Sequence, residues 1–452
     1  MNHWNADFVV NLLALAVLLG LAAGLRNRIA PLRRLRVPDS IVAGAAGLLL
    51  GPSVLDVIPF SIPNLELLVY HGFALVFIAV ALQRAAPGAR PGGARSIAVA
   101  IPSISILQVT LALLIVFAWT LVEPLHPGFT LMPMLGFSQG PGQALSLGGA
   151  WESLGFTDGA QLGLTFAALG FASCCVLGIP VVAVARRRGW VHGYQDAEAE
   201  VAVATTEGSS HSTMEPLTSS VVAIALVYAA VFGVISALVT VLPDGLIATA
   251  WGFHFIFGAL IAMGLRRAAV AAKAEHMFHD RLLSRLAVLA VDVTTVAALS
   301  AVKLSVLGAF WLPILVLTVV LSAATLLACL WMARRVFPQE PFEHALLMFG
   351  MATGTLPTGL ALLRILDPQL RGTVARNATL GVSGSIPFMA PLLVGVLPFA
   401  VSLWPEGTTT ALGIPLGLMV LYAVGLAIAW RTVTPAQRRG RWTSLWPGDD
   451  DA

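Results

Sequence analysis

Charge is scarce in this chain. Only 11% of its 452 residues are Asp, Glu, Lys or Arg, against 58% hydrophobic residues, and the mean hydropathy is +0.86. A water-soluble core cannot absorb that much apolar surface, so the soluble globular classes are excluded. The basic excess is small too: 26 Lys and Arg against 23 Asp and Glu give a formal charge of +3, and the basic residues sit in short clusters between apolar runs, which argues against a nucleic-acid partner. Cysteine is nearly missing. Cys174, Cys175 and Cys329 fall inside apolar stretches without metal-ligand spacing, so neither a disulfide framework nor a zinc site is indicated, and they read as packing residues. The first apolar run, Phe8 to Leu25, lacks a basic leader, and Arg26 and Arg28 follow it where a cleavage site needs small residues; it reads as a retained helix. Enzyme signatures are also lacking: no paired-carboxylate metal site, His-Glu-x-x-His, Gly-x-Ser-x-Gly or phosphate loop is found, so the chain reads as a non-enzyme without a cofactor.

What is present is a series of apolar runs. A bilayer core about 30 Å thick needs about 20 apolar residues per helix, and such runs occur at 8–25, 38–55, 65–83, 97–122 and 159–185, then at 218–242, 246–265, 282–303, 308–333, 374–400 and 411–430. Between the two sets lies a hydrophilic stretch, 186–217, with Asp196, Glu198, Glu200, Glu207 and a Gly-Ser-Ser run, which reads as a flexible cytoplasmic linker. With the N-terminus outside, alternating spans bring the Arg clusters at 26–36, 84–95, 186–188, 266–285, 334–335, 364–376 and 431–441 to the inner side, leaving only Lys303 over. That count holds when two further apolar segments, near 129–150 and 342–363, are re-entrant hairpins instead of spans. The expected architecture is therefore all-α and polytopic: a first five-helix repeat (1–185), the linker, a second repeat of opposite topology (218–402), and an extra helix with a basic cytoplasmic tail (403–452). Gly47 matches Gly258 at an offset of 211 and Gly142 matches Gly354 at 212, which aligns 137–144 with 349–356 without a gap.

Both hairpins carry helix breakers. The first reads Ser138-Gln139-Gly140-Pro141-Gly142-Gln143; the second reads Ala352-Thr353-Gly354-Thr355-Leu356-Pro357-Thr358-Gly359. Broken helix at membrane depth survives only where it is buried in protein or lines a wet cavity. Glycine permits close backbone approach, proline ends a helix, and Ser, Thr and Gln supply neutral donors and acceptors. Helix N-termini at such a break attract a carboxylate, while freed carbonyls suit Na⁺. Ordinary kinked spans are the bland alternative, and the matched positions of the two interruptions favour a transport site meeting at the midplane. Asp292, in Val291-Asp292-Val293-Thr294-Thr295, is the one acid deep in an apolar run and is the candidate Na⁺ or proton ligand. Asn377 and His254 read as internal hydrogen-bonding residues, Arg364 as a cytoplasmic topology signal, and Trp119, Trp151, Trp251, Trp311 and Trp404 as an interfacial belt.

These segments resemble the bacterial sodium/glutamate symporter family. The resemblance rests on Val37-Pro38-Asp39-Ser40-Ile41-Val42-Ala43-Gly44, on Ser138 to Gly142, on Gly149-Ala150-Trp151 with Gly155-Phe156-Thr157, and on Gly354-Thr355-Leu356-Pro357-Thr358-Gly359, and it extends over roughly residues 8 to 400. It implies a homodimer of inverted repeats in the cell's inner membrane, carrying L-glutamate or a related amino acid or carboxylate with Na⁺ by an elevator-type movement. This chain departs from the family's Ser-Gly-Gly-His-Gly-Thr-Gly at Ser138-Gln139-Gly140-Pro141-Gly142-Gln143-Ala144, where Gln139 and Gln143 offer amides instead. Proton coupling and, from the re-entrant loops, an ion channel remain the competing expectations.

Overall fold

The computed structural model describes residues 7–28, 38–83, 92–191, 215–367, 372–396, 408–433 and 445–446. Met1, the Arg33–Arg36 cluster, Arg84, Arg90, most of the linker, Arg371, Trp404 and the Arg438–Arg441 tail lie outside the described residues. Among those described, every regular element is helical. The helices are α1 (Asp7–Arg28), α2 (Asp39–Leu50), α3 (Ile62–Ala81), α4 (Gly92–Thr120), α5 (Pro141–Glu152), α6 (Gly159–Arg187), α7 (Pro216–Leu238), α8 (Asp244–Gly252), α9 (His254–Ala271), α10 (Asp280–Ser300), α11 (Leu304–Ala309), α12 (Trp311–Val336), α13 (Pro341–Leu363), α14 (Thr373–Ala390) and α15 (Thr408–Val433).

Nine of these are long and apolar enough to cross a membrane. Their outer faces are what a bilayer requires. Leu13, Val17 and Leu21 on α1, Leu226 and Phe232 on α7, and Leu315 and Val319 on α12 stand 51–66% exposed, a burden of apolar surface that only lipid or another apolar partner relieves. The chain is a multi-pass membrane protein.

Four of the expected spans differ. Those at 374–400 and 411–430 contain only shorter apolar helices, Gly384–Leu393 and Leu416–Thr432, among the described residues. The run at 38–55 forms a helix only over Asp39–Leu50, about 18 Å long at 1.5 Å per residue, because Pro38 starts it and Gly51 ends it in an extended conformation. The run at 246–265 is divided at Phe253 into α8 and α9. Trp151 also departs from the interfacial reading: it is fully buried and belongs to the largest apolar cluster, which also holds Phe129, Phe156 and Phe166.

The segment 341–363 needs closer inspection, since its length and hydropathy suit a crossing helix. A straight helix would hold Gly350 and Gly359 about 13.5 Å apart along its axis. Here a methyl group added at Gly350 would stand 2.7 Å from the Cα of Gly359. The chain therefore folds back on itself. The reversal falls at Gly354 and Thr355, whose backbone angles are non-helical, and the absence of a side chain at Gly350 and Gly359 lets the two limbs touch.

Candidate substrate and ion site

Helix α6 serves as a ruler for both broken segments. Along the first, Gly148 abuts Gly159, Ala144 abuts Gly163, Gly136 abuts Phe166 and Ala167, and Phe137 abuts Gly170. The leading limb, built of short turns over Pro127–Gln139, begins where His126 stacks on Phe156 at 4.9 Å. The trailing limb, α5, ends where the Glu152 carboxylate accepts the Ala160 N–H at 3.0 Å. Both ends of this hairpin thus lie at the Asp158 end of α6, and its tip lies about 16 Å further along. The second hairpin arrives from the other end. Phe342 lies 6.2 Å from Trp190, the Ile365 carbonyl accepts from Arg186 at 3.2 Å, Leu362 packs on Gly178, and the tip reaches Gly170 and Phe171.

The tips meet there. A methyl group on Gly170 would stand 2.4 Å from the Thr353 carbonyl oxygen and 2.9 Å from the Phe137 ring, and one on Gly140 would stand 2.8 Å from the Thr355 methyl. Only a glycine at 170 lets both tips close on α6. Gly140 (φ 92°, ψ 170°) and Thr355 (φ 73°, ψ 173°) share one conformation. For glycine it is ordinary; for a β-branched residue it is strained by about 1–3 kcal/mol. The two breaks thus fall at Gly140 and at Gly354–Thr355, and the gapless alignment at an offset of 212 sets Gly140 against Ala352.

Beside the second tip is a cavity of about 20 Å³ lined by Ser40, Phe171, Val291, Thr295, Thr355 and Thr358, with Pro38 and Pro357 at its rim. That volume admits about one water-sized species. It is too small for an amino acid, and no residue of the first hairpin is among those that line it. Asp292, half-buried on α10, accepts a hydrogen bond from Ser40 and feels the charge of Asp39; Asp39 is paired with Arg26 at 3.1 Å.

The hydroxyl groups are oriented by their own helices. Ser138 donates to the Met134 carbonyl (3.0 Å), Thr353 to Phe349 (2.8 Å), Thr295 to Val291 (2.8 Å) and Thr358 to Gly354. Their protons are committed, so in this conformation they present oxygen lone pairs. Such a lining suits a cation or a water, whereas a carboxylate would have to rely on main-chain N–H groups. Gln139 donates to Ser138 at 3.3 Å. Gln143 is fully buried, and neither its amide nitrogen nor its oxygen has a partner among the described residues. Gly142 is pressed on Phe73, a methyl there falling 2.2 Å from the ring, and Pro141 opens α5.

Two site residues escaped sequence reasoning. Gln108 on α4, buried in an apolar run, donates to the Ala352 carbonyl at 2.9 Å and to Thr325 at 3.0 Å. It satisfies an acceptor next to the second break, and a lone glutamine in a span was the available signal. Gly170 carried no local signal. Of the remaining candidates, Asn377 contacts His344 Nε2 at 3.2 Å at the base of the second hairpin, Arg364 is exposed away from the tips, and His254 lies between the carbonyls of Trp251 and Tyr70, both at 3.0 Å. None of the three enters the cavity. No protein-family model matches the chain, and comparisons with curated proteins and with solved structures give no match.

Proposed function

We propose that the chain is a secondary active transporter that carries L-glutamate or a related amino acid or carboxylate together with Na⁺ by elevator-type alternating access. The observation that carries this reading is the meeting of Gly140 and Thr355 where two hairpins enter from opposite ends of α6. A site framed by opposed hairpins can be exposed by one face and then the other, whereas a channel needs a pore open to both. Asp292 and the oxygen lone pairs of Thr295, Thr355 and Thr358 would bind the coupling cation. The main-chain N–H groups that follow each break, with the Gln143 amide, would hold the solute's polar groups.

In this reading the halves 1–185 and 218–402 are inverted repeats of five spans and a hairpin, joined by a cytoplasmic linker, in a homodimer of the inner membrane with the N-terminus outside. Counterflow in proteoliposomes tests it: a panel of amino acids and carboxylates is offered with Na⁺, with choline replacing Na⁺, and across a pH gradient. Saturable exchange of at least one solute that depends on Na⁺ supports it. Dependence on the pH gradient alone would move the coupling ion to H⁺, taken up by Asp292, and an ohmic current without saturable exchange would replace the transporter with a channel.

A further inference from the structure

Burial around the cavity is one-sided. Every residue from Thr294 to Val302 is buried, whereas Val291, Asp292 and Val293 are half-exposed and Pro357 is exposed. The half-exposed residues of α10 lie on the Arg186 side of the cavity, and its buried run lies on the Asp158 side. The buried side has two layers. The inner one is apolar: Leu145, Leu164, Val296 and Ala297 belong to one buried cluster. The outer one is a single side chain. The Gln161 carboxamide, 2% exposed, donates to Glu66 at 2.6 Å and to the Ala301 carbonyl at 3.1 Å, and accepts the Lys303 N–H at 2.8 Å.

Those three bonds join α6, α3 and the turn between α10 and α11, and none lies within an element. A carboxamide supplies two donors and an acceptor without charge, so it can close such a junction alone. It can also open. Glu66 is half-exposed and Lys303 exposed, whereas Ala301 is buried, so water is at hand for two of the three partners, and exchanging a protein bond for a water bond there changes the free energy little. An apolar layer by itself would hold the gate or not; the polar cap lets it part and re-form.

We propose that Gln161 is the latch of the gate at the Asp158 end, holding α3 and the α10–α11 turn against α6 while the cavity is open to the Arg186 end. The latch regulates the site of the proposed function and rests on its alternating access, yet its test needs no transport. Val291→Cys, at a half-exposed residue of the cavity lining, is introduced into a full-length chain in which Cys174, Cys175 and Cys329 are replaced by Ser, and a membrane-impermeant maleimide is added to right-side-out and inverted vesicles. With Gln161 present, labelling should come from the Arg186 side alone. Gln161→Ala should raise labelling from the Asp158 side by about tenfold, the factor that one net hydrogen bond of about 1.4 kcal/mol carries. Glu66→Ala should act in the same direction and gives the same readout if Gln161→Ala does not fold. Gln161→Glu alone sets two carboxylates together and should also open the gate; adding Glu66→Gln, which exchanges donor and acceptor, should restore the one-sided labelling only in part, because a carboxylate at 161 cannot donate to the Ala301 carbonyl. Equal labelling from both sides with Gln161 intact, or labelling unchanged by Gln161→Ala and Glu66→Ala, overturns the latch. A failure of counterflow with the labelling pattern intact would remove the transport reading and leave the gate.

Discussion

Gly140 and Thr355 touch at the middle of α6 and share a backbone conformation that only glycine adopts without strain. The first tip uses the residue the geometry prefers. The second holds a threonine there against its preference, and strained residues that persist mark positions where something besides stability is selected. In this case the side chain that incurs the strain lines the cavity.

Thr355→Gly should therefore stabilise the protein by about 1–3 kcal/mol while reducing cation binding at the cavity. Thermal unfolding in detergent, with and without Na⁺, measures both. A substitution that lowers the melting temperature would show that the threonine's contacts outweigh its strain.

Gly142→Val and Gly354→Val should disrupt the tips for different reasons. At 142 the first added carbon falls 2.2 Å from the Phe73 ring, and at 354 it falls 2.8 Å from Phe171 and 2.9 Å from Thr358. Overpacking of this kind costs about 1–3 kcal/mol. Gly142→Val with Phe73→Ala should recover part of the lost melting temperature, and counterflow should be abolished in both single variants.

Asp292→Asn should remove cation-linked stabilisation. If Na⁺ binds at the cavity, Na⁺ at 100 times its Kd raises unfolding free energy by about 2.7 kcal/mol over choline at equal ionic strength. In Asp292→Asn the two salts should give the same melting temperature.

Gln108→Leu should cost about 1–3 kcal/mol, because it leaves the buried Ala352 carbonyl without its donor. The loss should appear as faster amide exchange at the second tip, Thr353 to Thr358, with the first hairpin unaffected.

His126 closes the base of the first hairpin. Its Nδ1 accepts the Gly128 N–H at 3.0 Å, and burial pushes the imidazole down to about 4 from its ordinary 6.5. Protonation opposes that bond, so the stabilisation is complete above pH 6.5 and is lost as pH falls toward 4. Because the ring is only half-buried, solvent screening limits the effect to about 1–2 kcal/mol. His126→Ala should flatten the acid limb of a melting temperature-against-pH profile.

The membrane class and most helix positions were legible in the sequence, because bilayer thickness and the cost of unpaired backbone in hydrocarbon leave long apolar runs few alternatives. The same rules located both interruptions, since Gly140-Pro141 and Gly354 with Pro357 cannot continue a helix. Other features depended on contacts between distant segments. The charge distribution pointed to a hairpin near 342–363, but where Pro341–Leu363 reverses, at Gly354 and Thr355 with Gly350 lying on Gly359, is visible only in the structure. The backbone conformation that Thr355 shares with Gly140 was hidden because a threonine gives no sequence signal for it. Trp151, Gln108 and Gln161 carry roles set by what packs around them: a tryptophan at a span end reads as interfacial until it is found fully buried in the apolar core, and a glutamine reads as a stray polar residue until its amide bridges separate elements. Periodicity and hydrocarbon solvation act along the chain and could be read there; packing acts between residues that the chain order does not pair, and only the tertiary structure brings those together.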